Sequence, residues 1–256
     1  MRERALLGTS ALLFAASATV TVLWCGSMSA MPGMEMPGGW TMSMAWMRMP
    51  GQSWPGAAAT FLAMWTVMMV AMMLPSLVPM LARYRLAVSD PARARLGRLT
   101  AIVSLAYFQV WVAVGLLAYP LGVAWAAVTM QVPALARAVP IATGVVVIAA
   151  GMLQFSSWKA RQHASCRAAP ARTLAADAAT AWRHGFALGI RCVRCCLGST
   201  AILLACGVMD LRAMTVVTAA IAAERLLPSG VRVARGIGVL VVGTGLLLTA
   251  TGIPAM

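Results

Sequence analysis

The chain is a succession of apolar runs, each close to the length that crosses a bilayer, and this feature excludes most folds at once. The runs cover Ala5–Trp24, Ala57–Leu81, Leu99–Leu121, Pro140–Ser157, Gly185–Met209, Ala213–Leu227 and Val233–Thr251. A helix of about 20 residues spans the roughly 30 Å hydrocarbon core. In lipid every backbone N–H and C=O has to be satisfied within the segment, so such runs become helices. Of the 256 residues, 61% are hydrophobic and only 10% charged, against roughly a quarter charged in soluble chains. The expectation is an all-α polytopic transmembrane helical bundle of about seven helices, a single integral membrane domain over residues 1–256, multi-pass in the lipid bilayer. No separate soluble domain and no internal repeat is visible. The first run also reads as a signal peptide, with Ser27-Met28-Ser29 at cleavage spacing. It exceeds the usual apolar region of 7–15 residues, which favours a retained helix.

The charges orient the bundle. The net charge is +14, and the basic residues lie between the runs, which points to membrane topology rather than nucleic acid. With the N-terminus cytoplasmic, one side holds Arg2, Arg4, Arg83, Arg85, Arg93, Arg95, Arg98, Lys159, Arg161, Arg167, Arg172, Arg183, Arg225, Arg232 and Arg235. The other holds only Arg48, Arg137 and Arg212. That asymmetry makes 158–184 a basic cytoplasmic loop and 26–56 an extracytoplasmic loop. Two histidines, His163 and His184, and six acidic residues count against a bis-histidine haem and against a pump built on buried carboxylates. No nucleotide-binding loop and no nucleophile–base pair is present, so catalysis is not expected.

Residues 26–56 hold eight methionines among Gly, Pro, Ser and Trp: Met28, Met31, Met34, Met36, Met42, Met44, Met47 and Met49. The breakers exclude a long helix. A thioether is a soft, neutral ligand that is not protonated away, and soft sulfur ligands select Cu(I). The loop has no histidine, which disfavours Cu(II) and Zn(II). The competing reading places its Met and Trp residues at the headgroup level.

In the second run Met64, Met68 and Met72 recur at i, i+4, i+8, with Met69, Met73 and Met80 on another face. This stripe reads either as core packing or as a relay for Cu(I).

Cys192-x-x-Cys195-Cys196 puts three thiols on one helical face. Three readings stand: a soft-metal site, a thiol–disulfide pair, and buried cysteines acting as small apolar residues. Arg191 and Arg194 beside them are expected to favour thiolate. His184, eight residues earlier, is a candidate fourth ligand. Cys25 and Cys206 fall at the outer ends of their helices, where a disulfide would be permitted.

Several segments together resemble a bacterial family of predicted metal-binding integral membrane proteins, sometimes labelled copper chaperone. They are Met68-Met69-Val70-Ala71-Met72-Met73-Leu74-Pro75-Ser76, Gln154-Phe155-Ser156-Ser157-Trp158-Lys159 with Cys166-Arg167, His184-Gly185 with Cys192-x-x-Cys195-Cys196, and Gly207-Val208-Met209-Asp210-Leu211. The resemblance covers most of residues 5–250. It implies a bacterial inner-membrane protein that handles copper. Arg194 and Asp210 depart from the family pattern, where a small residue and an Asn are expected.

The leading expectation is therefore a copper(I)-binding membrane protein that passes its ion to a copper-receiving protein partner, with no nucleic acid involved. The alternatives are a membrane thiol–disulfide oxidoreductase using the cysteine cluster, or an accessory subunit with buried Met and Cys.

Overall fold

The computed structural model describes residues 2–29, 33–88, 95–168 and 173–251. Met31, the Asp90-Pro91 turn, Arg93 and Arg172 lie outside them. The described residues form eight α-helices: α1 (Arg2–Ser29), α2 (Trp54–Ala87), α3 (Leu96–Gln131), α4 (Pro133–Leu153), α5 (Ser157–Arg167), α6 (Ala178–Cys206), α7 (Leu211–Leu226) and α8 (Gly230–Thr251). Six of them, all but α5 and α7, are long and apolar enough to cross a membrane. The protein is an all-α, multi-pass membrane bundle.

Two expected boundaries move. The linker after the third run is helical: α3 continues to Gln131, and Pro133 opens α4. Proline fits the first turn of a helix because its missing N–H would be unpaired there anyway. The basic segment 158–184 is likewise not all loop. The chain turns at Gln154-Phe155-Ser156, and the Ser156 hydroxyl accepts from the Lys159 N–H at 3.1 Å to cap α5. The predicted sixth run is real as a helix, but α7 has only 16 residues, about 24 Å at 1.5 Å per residue.

Helix α2 is the hub. Continuous through Pro75 and Pro79, it buries Phe61, Trp65, Leu77 and Tyr84 together with Met64, Met68, Met69, Met72, Met73 and Met80. Helix α1 packs along α2, α6 along α3, and α8 along α4. The α3–α6 contact depends on Gly185, because a Cβ there would collide with the backbone carbonyl of Val103. Close backbone approach through small residues is how helices associate in lipid, where no hydrophobic drive separates helix from helix.

The bundle has a basic end and a methionine end. At the basic end, Leu174 N–H donates to the Ala87 carbonyl at 2.8 Å, tying the segment before α6 to the end of α2. At the other end, residues 34–42 form a small antiparallel hairpin, β1 (Met34–Met36) and β2 (Trp40–Met42), with Met34 opposite Met42 and Met36 opposite Trp40. The segment expected as a loop is thus folded. Its turn uses Gly38 and Gly39 at positive φ, and Gly38 sits against the backbone of Ala136 and Arg137, where a side chain would not fit. Met36 and Met42 are buried with Ala126 and Ala136, and the Trp40 indole N–H donates to the Ala136 carbonyl at 2.8 Å. Trp46 packs in a tilted pair with Phe61, ring centroids 5.2 Å apart. Trp40 and Trp46 are therefore protein anchors, while Trp54 stays exposed under Arg48.

Candidate metal centre

Helix α6 carries Cys192, Cys195 and Cys196 into the bundle, all at most 2% exposed. The three thiols do not share one point. Cys192 and Cys196, one turn apart, have their sulfurs 4.0 Å from each other. Cys195 turns toward α5, where it is hydrogen-bonded to Cys166. The Cys166 thiol also donates to the Arg191 carbonyl at 3.2 Å. Its bond to Cys195, with burial second, pushes the Cys166 thiol up.

Three residues from other helices complete the Cys192–Cys196 pair. The Met73 sulfur of α2 lies 3.9 Å from the Cys192 sulfur. The Tyr107 hydroxyl of α3 donates to Cys192 at 2.8 Å. The Arg225 guanidinium of α7 donates through one nitrogen to both Cys192 and Cys196, each at 3.2 Å. The counter-charge predicted from Arg191 and Arg194 comes from Arg225 instead, since both of the former are exposed. In the α2 stripe it is Met73, not Met72, that reaches the thiols. Met64, Met68 and Met72 are buried elsewhere along the same helix.

Arg225 and its neighbour Glu224 are both buried. Glu224 is held by Lys159 of α5 at 2.9 Å and by the Gln154 amide at 2.8 Å. Lys159 also donates to the Cys195 carbonyl at 2.8 Å, and His163 bonds the Glu224 carbonyl at 2.6 Å. Glu224 is thus engaged by Lys159 and Gln154, and among the described residues the ionisable groups that act on Arg225 are the three thiols of α6 and the Tyr107 phenol. Ionisable groups at membrane depth are expensive and mark functional sites.

The depth of the site follows from helix rise. Cys192 lies 14 residues from Cys206 at the end of α6, and Arg225 lies 14 residues from Leu211 at the start of α7. At 1.5 Å per residue both are about 21 Å below the α6–α7 turn. The short α7 thus sets Arg225 level with the thiols, toward the basic end.

The remaining predicted residues lie elsewhere. His184 stacks on Tyr84, centroids 5.2 Å apart, near the basic end of α6, about 12 Å along the helix from Cys192. Met28, Met34, Met36, Met42 and Met44 sit at the methionine end, with Met34 exposed and Met36 and Met42 buried. Cys206 is also at that end, and Cys25 packs with its sulfur 4.0 Å from the Met209 sulfur; the two cysteines are not joined in a disulfide. Among the described residues no three His, Cys, Asp or Glu side chains are gathered to hold a metal ion. A closed zinc site built on three or four such side chains is therefore absent among them.

Residues 62–248 match the family described as PpoB2: Copper chaperone. The chain belongs to this family. The match runs from α2 to α8 and so includes Met73, Tyr107, the three thiols of α6 and Arg225, whereas the hairpin methionines precede it. Comparison with the curated proteins and with the solved structures gives no match. The two departures from the family pattern are both tolerated by the fold. Arg194 is exposed. Asp210 caps α7, its carboxylate accepting from the N–H groups of Arg212 and Ala213 at 2.7 and 3.2 Å, a role Asn fills equally well.

The site residues that sequence reasoning missed are Tyr107, Arg225 and Lys159. Lys159, His163 and Cys166 did leave a signal: they recur at i, i+4 and i+7 on α5, and all three are buried. Tyr107 and Arg225 left none, because each is brought in from a distant segment.

Proposed function

We propose that this protein handles copper(I) in the membrane, holding the ion between Cys192, Cys196 and Met73 with Arg225 as a fixed counter-charge. The observation that carries the reading is the Met73 thioether and the Cys196 thiol lying 3.9 and 4.0 Å from the Cys192 sulfur, with a guanidinium on both thiols. Metal–sulfur bonds of about 2.3 Å place three sulfurs of a trigonal set about 4 Å apart, so the spacing needs little rearrangement.

Charge selects the ion. Two thiolates and one Cu(I) leave a net −1, which the permanent +1 of Arg225 neutralises. Two thiolates and Zn(II) would be neutral and leave Arg225 buried without a counter-anion, which is costly. The soft donor set points the same way. The family's copper-chaperone description agrees with this cargo.

In this reading the hairpin methionines capture copper weakly on the outer face of the bacterial inner membrane. The buried column Met64, Met68, Met69 and Met72 links them to the thiols. The role is binding and delivery to a copper-receiving protein, not catalysis. Burial of Cys192 and Cys196 disfavours the thiol–disulfide alternative, since reactive cysteines are partly exposed. The test is competitive titration of the detergent-purified, reduced protein with Cu(I) and with Zn(II). The reading expects Cu(I) to bind far more tightly than Zn(II), and binding at this site to vanish in Cys192→Ser/Cys196→Ser. Equal affinity for the two metals, or full Cu(I) binding in that variant, would overturn it.

A further inference from the structure

The α6–α7 turn at the methionine end closes one side of a cavity of about 750 Å³. Three separate segments present sulfur to it: Met28 from the end of α1, Met42 and Met44 from the hairpin, and Cys206 and Met209 from the turn. Behind Met209, the Cys25 sulfur of α1 lies 4.0 Å from the Met209 sulfur. This is again the spacing of two ligands on one soft ion with bonds of about 2.3 Å. Five sulfur-bearing residues thus line one cavity, with Cys25 adjoining it through Met209. Only Asp210 and Arg212 bring charge to the wall, and the Asp210 carboxylate is engaged in capping α7.

We propose that this cavity is a second soft-metal site, separate from the thiol pair, in which Met209, Cys206 and Cys25 take a monovalent soft cation from the outer side. Met28, Met42 and Met44 supply the weaker thioethers through which the ion arrives. Binding is ligand exchange only: the ion leaves its carrier, forms bonds to thioether and thiolate sulfur, and each thiol that ligates gives its proton to solvent. About 21 Å of α6 separates Cys206 from Cys192, so each site fills without the other. The proposal deepens the copper reading but does not need the thiol pair to bind.

The experiment uses the full-length protein in detergent under reductant, with Ag(I) as a redox-stable probe and bound silver counted by elemental analysis. The wild type should retain two ions per chain. Cys206→Ser/Met209→Leu should retain one, and Cys192→Ser/Cys196→Ser should also retain one. Two ions in the cavity variant would overturn the proposal while leaving the copper reading intact. One ion in the wild type that disappears in the thiol-pair variant would do the same. No silver in the wild type would overturn both. Should the cavity variant fail to fold, labelling of the wild type decides. Cys206 is partly exposed, and one equivalent of Ag(I) beyond the first should slow its reaction with a membrane-impermeant maleimide at least tenfold; unchanged labelling overturns the proposal.

Discussion

Replacing Arg225 by Met separates the folding role of this residue from its metal role. In the resting protein, Arg225 is a buried cation without a carboxylate partner; Glu224, its neighbour, is already engaged by Lys159 and Gln154. Exchanging a buried charge for an apolar side chain of similar length is often neutral or stabilising. Melting of the metal-free protein should therefore change little. The guanidinium makes two contacts to the Cys192 and Cys196 sulfurs at 3.2 Å, and these become charge-assisted when both sulfurs ligate copper as thiolates. Charge-assisted hydrogen bonds contribute about 1.5–3 kcal/mol each, and sulfur, a weak acceptor, belongs at the lower end. Two of them amount to about 3 kcal/mol, or roughly 100-fold in Kd at about 1.4 kcal/mol per tenfold. Arg225→Lys keeps the charge but places it on a differently shaped head that does not reproduce the guanidinium nitrogen lying between the two sulfurs, so an intermediate loss of about tenfold is expected. The assay is Cu(I) titration against a chromogenic chelator, with Zn(II) in parallel. The variant should also shift preference toward Zn(II), whose bis-thiolate complex needs no counter-charge. Arg225→Met with wild-type Cu(I) affinity, or with the same loss for both metals, would refute the charge argument.

Further predictions follow from the same geometry. Met73→Leu conserves volume and should cost under about 1.5 kcal/mol in stability, yet weaken Cu(I) binding about tenfold in the chelator assay, while Met72→Leu should not. Copper(I) held by thiolates displaces protons from the thiol pair, so binding should release protons and tighten as pH rises. Calorimetry in buffers of different ionisation enthalpy measures this, and Cys192→Ser/Cys196→Ser should abolish the release at this site. Lys159→Met strands Glu224 without its cation and should destabilise the protein by about 3–5 kcal/mol, read by thermal melting in detergent; Lys159→Met/Glu224→Gln should recover much of it. The Asp177 carboxylate accepts from the Thr180 N–H at 2.8 Å, and this bond holds its carboxyl below the usual range. A depressed folded value means the capping contribution is present above the unfolded value of about 3.9 and lost as pH falls through the folded one. Amide exchange at the start of α6 should rise in that window, and Asp177→Ala should remove the pH dependence.

How much of this was visible in the sequence differs from element to element. The membrane helices were, because twenty apolar residues have few alternatives. So were the two ends of the bundle, because basic residues gather on one side. The Cys192–Cys196 pairing followed from helical spacing, but the departure of Cys195 toward Cys166 did not, since it depends on α5 folding back onto α6. The choice of Met73 over Met72 was hidden for a different reason. Helix α2 is covered on nearly every side, so its sequence carries no polar face from which to read its rotation. The hairpin was missed because Pro, Gly and Met carry little strand propensity; what fixes it is Trp40 and the α3–α4 junction, some 90 residues away in the chain. Arg225 read as a boundary residue of a short helix, and only the level of α7 against α6 brings it to the thiols.

The proposed holding of one copper(I) ion by sulfur alone at Cys192, Cys196 and Met73 has a direct spectroscopic signature. X-ray absorption at the copper edge, on Cys206→Ser/Met209→Leu loaded with one equivalent of Cu(I), isolates that site. The account predicts about three sulfur neighbours near 2.3 Å and no nitrogen or oxygen shell, with one sulfur lost in the added Met73→Leu variant. A nitrogen or oxygen neighbour, or a spectrum unchanged by Cys192→Ser/Cys196→Ser, would contradict it.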